Sequence, residues 1–385
     1  MIHHYLNAVK SRTVDYIYKR KGWTTNRKIV VIESDDWGSI RMPSLATLNT
    51  LLKRGVKLFP ELGLDRFDTL ASNDDLELLM DVLYSVKDKN NKPAKITLNC
   101  IMTNPDFIKI KESGFGEYHY ELFTDTLMRY PNHNNSFELL KEGINKNVFK
   151  PQFHGREHLN VQMWLHALIK DFPGVRLAFD YHVFCNHIDK KFDSRVKFLE
   201  AYNIKHFNEY SFIKNSIIEG LNLFEKIFGY KSQSFIAPNY VWDDKVEEYA
   251  FTNGIKYIQG GVTQRNPIYE TNKSKKHSKY HYLGEINRLG QVYLIRNCVF
   301  EPSHNKKLNS YKCLKDIETM FNLNKPAVIC SHRLNYIGEL DKKNRDEGLK
   351  ELSLLLKQIV KKYPMVEFMS SDQLGTLISQ PSKGI

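Results

Sequence analysis

No apolar run in the chain approaches the ~20 residues a bilayer span needs. The opening stretch, MIHHYLNAVKSRTVDYIYKRKGW, has polar or charged residues every few positions and lacks the apolar segment of a secretory leader. Cysteine is scarce: five in 385 residues (Cys100, Cys185, Cys298, Cys313, Cys330), an odd number, widely spaced, with no CxxC pair. That argues against a disulfide framework and for reduced, buried thiols in strand-like runs. There is no internal repeat, no low-complexity tract and no Pro/Gly/Ser linker. These absences lead us to expect a soluble, cytoplasmic chain forming a single domain over 1–385.

What is present supports a folded chain. Hydrophobic residues make up 42% and aromatics 12%, enough for a substantial core. The 56 basic residues exceed the 44 acidic ones, for a net charge of +12, which raises a nucleic-acid reading. The Lys and Arg are spread along the chain, however, and the one dense cluster, Lys273 to His281 (KSKKHSKYH), reads as a solvated surface loop. No nucleic-acid partner is expected. A basic rim around a site for an anionic sugar is the intermediate possibility.

Short β-rich runs alternate with helical patterns. Strands are expected at 28–33 (KIVVIE), 94–101, 151–154, 176–180 (RLAFD), 233–237, 256–259, 292–296, 327–331 (AVICS) and 366–369. Helical patterns fall at 74–87, 160–171, 194–202, 215–228, 243–253, 313–321 and 343–363, the last with leucines along one face. This alternation predicts an α/β chain with a parallel sheet and outer helices, one (β/α) barrel rather than two domains. Segments 41–73 and 103–147 are too long for simple connections and read as insertions at the barrel mouth. In such barrels the chemistry sits at the C-terminal strand ends.

Three strand ends carry the candidates. The first is Glu33-Ser34-Asp35-Asp36-Trp37-Gly38, three carboxylates within four residues, a crowding that a cation or metal relieves. Alternatively, it is an Asp-rich turn. The second is His154-Gly155-Arg156-Glu157-His158, with imidazoles at i and i+4, a spacing that suits a divalent metal or an exposed helix face. The third is Ser331-His332-Arg333. Together, Asp36, His154 and His158 would form a two-histidine, one-carboxylate metal site. Asp35 would remain available as a base for water, and His332 would protonate a leaving group. Zinc fits this set best, although other divalent metals also fit.

In these motifs the chain resembles the polysaccharide deacetylase (NodB-homology) family, as a divergent member. The resemblance implies an irregular (β/α) barrel of about seven strands. It also implies Asp35 as catalytic base, Asp36, His154 and His158 as metal ligands, and His332 as general acid. The family's Arg-x-Pro motif corresponds to Ser234–Tyr240, where Pro238 is kept but Ile236 stands in the Arg position. Arg156 and Arg333, which flank site residues, are the candidates to replace that Arg. Gly155 replaces a Ser/Thr, and no W-D-type motif lies near Gln259, although Trp242-Asp243-Asp244 lies upstream. For substrate contacts we expect Trp37, Tyr240 and Trp242 as sugar platforms, Asn99, Asn104, Asn239 and Gln259 as hydrogen-bonding groups, and Arg156 and Arg333 at the site. A backbone N–H of Asn239 or Tyr240 would face an oxyanion.

The leading expectation is a metal-dependent hydrolase removing an N-acetyl or O-acetyl group from a sugar or glycan intermediate. In the cytoplasm that substrate would be nucleotide-linked or lipid-linked. The rivals are a glycoside hydrolase using Glu33, Asp35, Asp36 and Asp243 or Asp244, and a carbohydrate-binding protein that has lost turnover.

Overall fold

The computed structural model describes residues 13–56, 58, 66–185, 198–267 and 278–380. Its centre is a sheet of nine strands in which every pairing is parallel. In chain order they are β1 (Lys28–Trp37), β2 (Ile96–Ile101), β3 (Phe149–Gly155), β4 (Ser234–Ile236), β5 (Tyr257–Gly260), β6 (Val292–Ile295), β7 (Cys298–Val299), β8 (Ala327–His332) and β9 (Val366–Met369). The spatial order is β6-β5-β4-β3-β2-β1-β8-β7, with β9 paired to the first residues of β1. This is an irregular (β/α) barrel with two strands more than the seven expected.

The two edge strands are consecutive in sequence, and the chain between them closes the barrel. The Arg296 N–H donates to the Gly260 carbonyl of β5, which flanks the β6 edge, at 2.8 Å. The Asn297 N–H donates to the Val328 carbonyl of β8, which flanks the β7 edge, at 2.9 Å. Asn297 also accepts from the Val328 N–H and donates to the Pro326 carbonyl. Two residues therefore span the seam.

β1 is central because its Ile29–Ile32 run is apolar and β-branched, suited to burial on both faces; all four residues are at most 1% exposed. The helix Lys342–Lys362 buries Leu349, Leu352, Leu355, Leu356 and Ile359 along one stripe, and Asp341 caps its first turn. Residues expected as strand 176–180 instead form the helix Val175–Asp180, following Gly174 in a left-handed conformation. Phe179 packs there against Trp164 and Phe107, and this local packing overrides the β propensity of the run. Of the helix expected at 194–202, residues 194–197 lie outside the described ones and 198–199 and 201–202 form turns. Of the basic cluster, 273–277 lie outside the described residues, while Ser278–Tyr280 pairs antiparallel with Thr263–Arg265.

The expected insertions contribute to a second apolar cluster. Met42, Leu51, Phe107 and Ile110 meet Trp164 and Phe179 there, beside the main core. Cys100, Cys185, Cys298 and Cys313 are buried, and Cys330 is partly exposed. Among the described residues no helix is long and apolar enough to cross a membrane.

Candidate active site

The C-terminal ends of β1, β3, β4 and β8 converge on a cavity of about 410 Å³. Its walls include Asp35, Asp36, His154, His158, Tyr240 and His332. The register of β1 on β8 places Asp35 beside His332. On its other side, the pairing of β1 with β2 shifts between Ser34 and Trp37. Within this bulge Asp36 adopts φ 74°, a left-handed conformation that Asp tolerates better than most residues. A regular strand would send consecutive side chains to opposite faces; the bulge lets Asp35 and Asp36 share one cavity.

A second irregularity, between β2 and β3, accompanies His154: Cys100 pairs with Phe153, but Ile101 pairs with Gly155. Gly155 has φ 156°, and a Cβ there would lie 3.0 Å from the Glu157 carbonyl oxygen and 3.2 Å from the Tyr202 hydroxyl. Crowding and conformation both account for glycine where the family pattern has Ser or Thr.

Asp36, His154 and His158 come together. The Nε2 atoms of His154 and His158 lie 3.3 and 3.2 Å from Asp36 Oδ1. The donor atoms of all three lie within 4.8 Å of one another. His154 Nδ1 is 2.8 Å from the Ile236 carbonyl, a contact that fixes the proton on Nδ1 and leaves the Nε2 lone pair for a ligand. Burial, reinforced by the Arg41 charge, holds His158 well below the ordinary histidine pKa and therefore neutral. Asp36 is held well below the usual carboxylate range: burial opposes this, but the Arg41 charge is the largest influence against it and outweighs it. Two imidazole Nε2 atoms and one carboxylate are a donor set that fits a divalent cation.

Asp35 sits beside this set. Arg296 grips it with two donors, Nη1 to Oδ2 at 2.7 Å and Nη2 to Oδ1 at 2.6 Å, and Asn99 adds 2.8 Å to Oδ1. Burial would raise the Asp35 pKa, but Arg296 outweighs it and keeps the carboxyl ionised. His332 Nε2 lies 3.8 Å from Asp35 Oδ2, and its Nδ1 bonds Glu301 at 2.6 Å. Glu301 is in turn held by Asn335 at 2.8 Å. Burial disfavours the imidazolium, yet Glu301, then Asp35 and Asp36, hold the His332 pKa well above the ordinary value. Glu301, His332 and Cys330 also cluster closely enough to suggest a second cation site. There, however, Glu301 is already committed to His332 Nδ1 and to Asn335. We read Glu301 as the group that orients His332.

The expected substrate contacts fare unevenly. Trp37 is 3% exposed, donates to the Ser34 hydroxyl at 2.9 Å and sits against Phe149, so it offers no ring face to a ligand. Trp242 is 1% exposed, donates to Glu247 and stacks near His281. Both are core residues, because strand ends this deeply enclosed bury their aromatics. Tyr240 and Asn239 do line the cavity. The Tyr240 N–H is already committed to the Ala237 carbonyl at 3.0 Å, which removes it as an oxyanion donor. Asn99 and Gln259 bond each other, and Asn104 ties Ile40 to Gly38; all three are buried in internal networks.

Neither arginine proposed to replace the family's motif arginine reaches Asp35. Arg156 is spent on Glu157 and Glu219. Arg333 bonds the Asp36 carbonyl and Asp68. The residue that holds Asp35 is Arg296, which lies at the barrel seam and went unrecognised in the sequence. Arg41, Asp68 and Glu301 were likewise missed, although Arg41 and Asp68 fall inside the segment expected at the mouth.

No family model matches the chain, and no curated protein matches it. Solved structures do. A candidate glycoside hydrolase/deacetylase from Parabacteroides distasonis is 11% identical, with 94% of this chain and 74% of that one covered and a TM-score of 0.52. The two share one fold, the irregular (β/α) barrel. A 4-alpha-glucanotransferase from Thermococcus litoralis is 8% identical over 92% of this chain, with a TM-score of 0.44; the match covers 41% of that enzyme's length. A family 4 acetyl xylan esterase from Clostridium thermocellum, solved with a cobalt ion, is 10% identical over 92% of this chain and 93% of its own, with a TM-score of 0.35.

Proposed function

We propose that the chain is a metal-dependent hydrolase that removes an acetyl group, N- or O-linked, from a sugar or glycan intermediate. The observation that carries this reading is the Asp36–His154–His158 donor set, flanked in one cavity by Asp35 on Arg296 and His332 on Glu301. A divalent cation held by the three ligands, zinc being the best match, would supply Lewis acidity toward water and the acyl carbonyl.

The chain's own residues then have distinct tasks. Asp35 accepts the proton of the attacking water at Oδ2, which takes one bond from Arg296, whereas Oδ1 takes bonds from both Asn99 and Arg296. Arg296 fixes the plane of that carboxylate. His332, kept protonated by Glu301, delivers a proton to the departing amine or alkoxide. Asn239 and Tyr240 border the bound sugar.

The rival readings lose support. Of the carboxylates the glycosidase reading names, Asp35 and Asp36 line the cavity but are committed to Arg296 and to Arg41 with the two histidines, while Glu33, Asp243 and Asp244 do not line it. Glu33 is fully buried against Arg296 and Ser371, Asp243 caps a helix, and Asp244 pairs with Lys279 at the surface. The loss-of-turnover reading weakens as well, because Arg296 supplies Asp35 with the guanidinium that Ile236, in the motif position, cannot.

The test is elemental analysis of untagged wild type beside Asp36→Ala and His154→Ala, followed by acetate release from acetylated sugars. About one equivalent of divalent metal in wild type, lost in both variants together with acetate release, is the expected result. A wild type that binds no metal after reconstitution with zinc, cobalt, nickel or manganese would defeat the proposal.

A further inference from the structure

The guanidinium of Arg41 stands where a cation's charge would be felt most. Its Nη2 lies 3.0 Å from Asp36 Oδ1, the same oxygen that both imidazoles approach. Its Nη1 is anchored at 2.8 Å on Asp68 Oδ2. The other oxygen of Asp68 takes Arg333, whose second donor bonds the Asp36 backbone carbonyl. Asp36 is 4% exposed, Asp68 3% and Arg41 9%. Two buried carboxylates and two guanidiniums thus form a closed, charge-balanced square against the ligand set.

We propose that Arg41 is an internal counter-ion for Asp36 that a divalent cation must displace. This rests on the assignment of Asp36, His154 and His158 as the cation's ligands and adds the competitor. The physical argument has two sides. A buried carboxylate without a partner is strongly destabilising, so a chain that folds before acquiring its cation needs a counter-charge at Asp36. The same positive charge, 3.0 Å from the ligand oxygen, repels a divalent ion at that oxygen. Asp68 makes the displacement feasible, because Arg41 keeps one anchored donor when it leaves Asp36. The site therefore gives up cation affinity for cation-independent folding.

Two predictions of opposite sign follow from this, and a merely structural arginine would not produce both. In Arg41→Met the cation-free protein melts at a lower temperature than wild type, because Asp36 has lost its partner. Its affinity for cobalt(II) rises by roughly tenfold or more, because the competing charge is gone. Arg41→Lys keeps the charge and stays close to wild type in affinity. The experiment is a chelator-competition titration with cobalt(II), read from the visible absorption of the bound ion, beside thermal unfolding with and without cobalt.

A larger cobalt-induced rise in melting temperature for Arg41→Met than for wild type, with tighter binding, supports the proposal. Unchanged or weaker cobalt binding in a folded Arg41→Met overturns it and leaves Arg41 as a prop for Asp36. His154→Ala separates the two levels. If cobalt binds wild type and is lost in His154→Ala, the ligand assignment stands whatever Arg41→Met shows. If cobalt binds none of the proteins, or binds His154→Ala as well as wild type, the ligand assignment and the inference fall together.

Discussion

Arg296 closes on Asp35 with two parallel hydrogen bonds, 2.7 Å from Nη1 to Oδ2 and 2.6 Å from Nη2 to Oδ1, while its Nε reaches Glu33 at 2.7 Å. One planar fork thus ties two carboxylates of β1 to the residue that joins the two edges of the sheet. The grip is rigid because the Arg296 and Asn297 backbones are hydrogen-bonded to opposite edges of the barrel. Nη1 also donates to the Tyr240 hydroxyl at 3.1 Å. The candidate base is therefore aligned by the closure of the barrel itself, and its orientation depends on the barrel being intact.

Arg296→Lys should lower kcat/KM for acetate release on the order of 10²-fold, because a single ammonium cannot replace a bidentate fork. Cation content should stay at the wild-type level, since Arg296 touches none of the three ligands. The pH profile adds a readout that a structural role would not produce. Arg296 holds the Asp35 pKa down chiefly by its charge, so Arg296→Met, which removes that charge, moves the acidic limb of kcat/KM to higher pH. An acidic limb left in place would show that Arg296 does not govern Asp35.

Glu301→Gln should move the alkaline limb in the opposite direction. Glu301 helps hold the His332 pKa above the ordinary histidine value, so wild type keeps its acid protonated through neutral pH. Without that carboxylate the imidazolium loses its proton at lower pH, and the alkaline limb falls toward neutrality. Imidazole resonances followed through a pH titration give the His332 pKa directly. Equal values in wild type and variant would refute the role of Glu301.

Gly155→Ser restores the residue type of the family motif, yet it should harm this chain. The Cβ meets the Glu157 carbonyl at 3.0 Å on a backbone with φ 156°. A loss of about 1–3 kcal/mol in urea unfolding is expected, with weaker cation binding because the preceding residue is His154. An unchanged midpoint would mean that the β3 end can relax around the side chain.

Much of this architecture can be read from the sequence, and the failures have physical causes. The strand run at 327–331 and the leucine stripe of 343–363 carry strong periodic signals, and both elements are present. The Asp35–Asp36 pair and the His154/His158 spacing are local motifs, so their convergence at strand ends was legible too. Arg296 was not, because its carboxylate partners Glu33 and Asp35 lie more than 250 residues away and no local spacing links them. Trp37 was misjudged because adjacency to the carboxylates suggested exposure, whereas the bulge at Asp36 turns its ring into the core. Segment 176–180 has strand-like composition, and only its packing against Trp164 and Phe107 makes it helical.

Glu367 offers a test of the fold that is independent of the cavity. It lies on β9, which pairs with the first residues of β1, and Arg27 reaches it with two donors at 2.8 and 2.6 Å. Lys89 adds an ion pair at 3.0 Å. The hydrogen bonds from Arg27, more than any other influence, pull the Glu367 pKa down to about 2 from an ordinary 4.5. A carboxylate whose folded pKa is depressed contributes stability that is fully present above its unfolded pKa. That contribution is lost as pH falls from about 4.5 through about 2, when the folded protein must also take up the proton. Arg27 is 40% exposed, so solvent screening limits the worth of the cluster to about 1 kcal/mol. Glu367→Gln should therefore be less stable than wild type at pH 7 by about that amount, and the gap should close as pH is lowered through this window. Urea unfolding at a series of pH values measures it, and a gap that is constant with pH would show that the loss reflects packing on β9 and not the charge of Glu367.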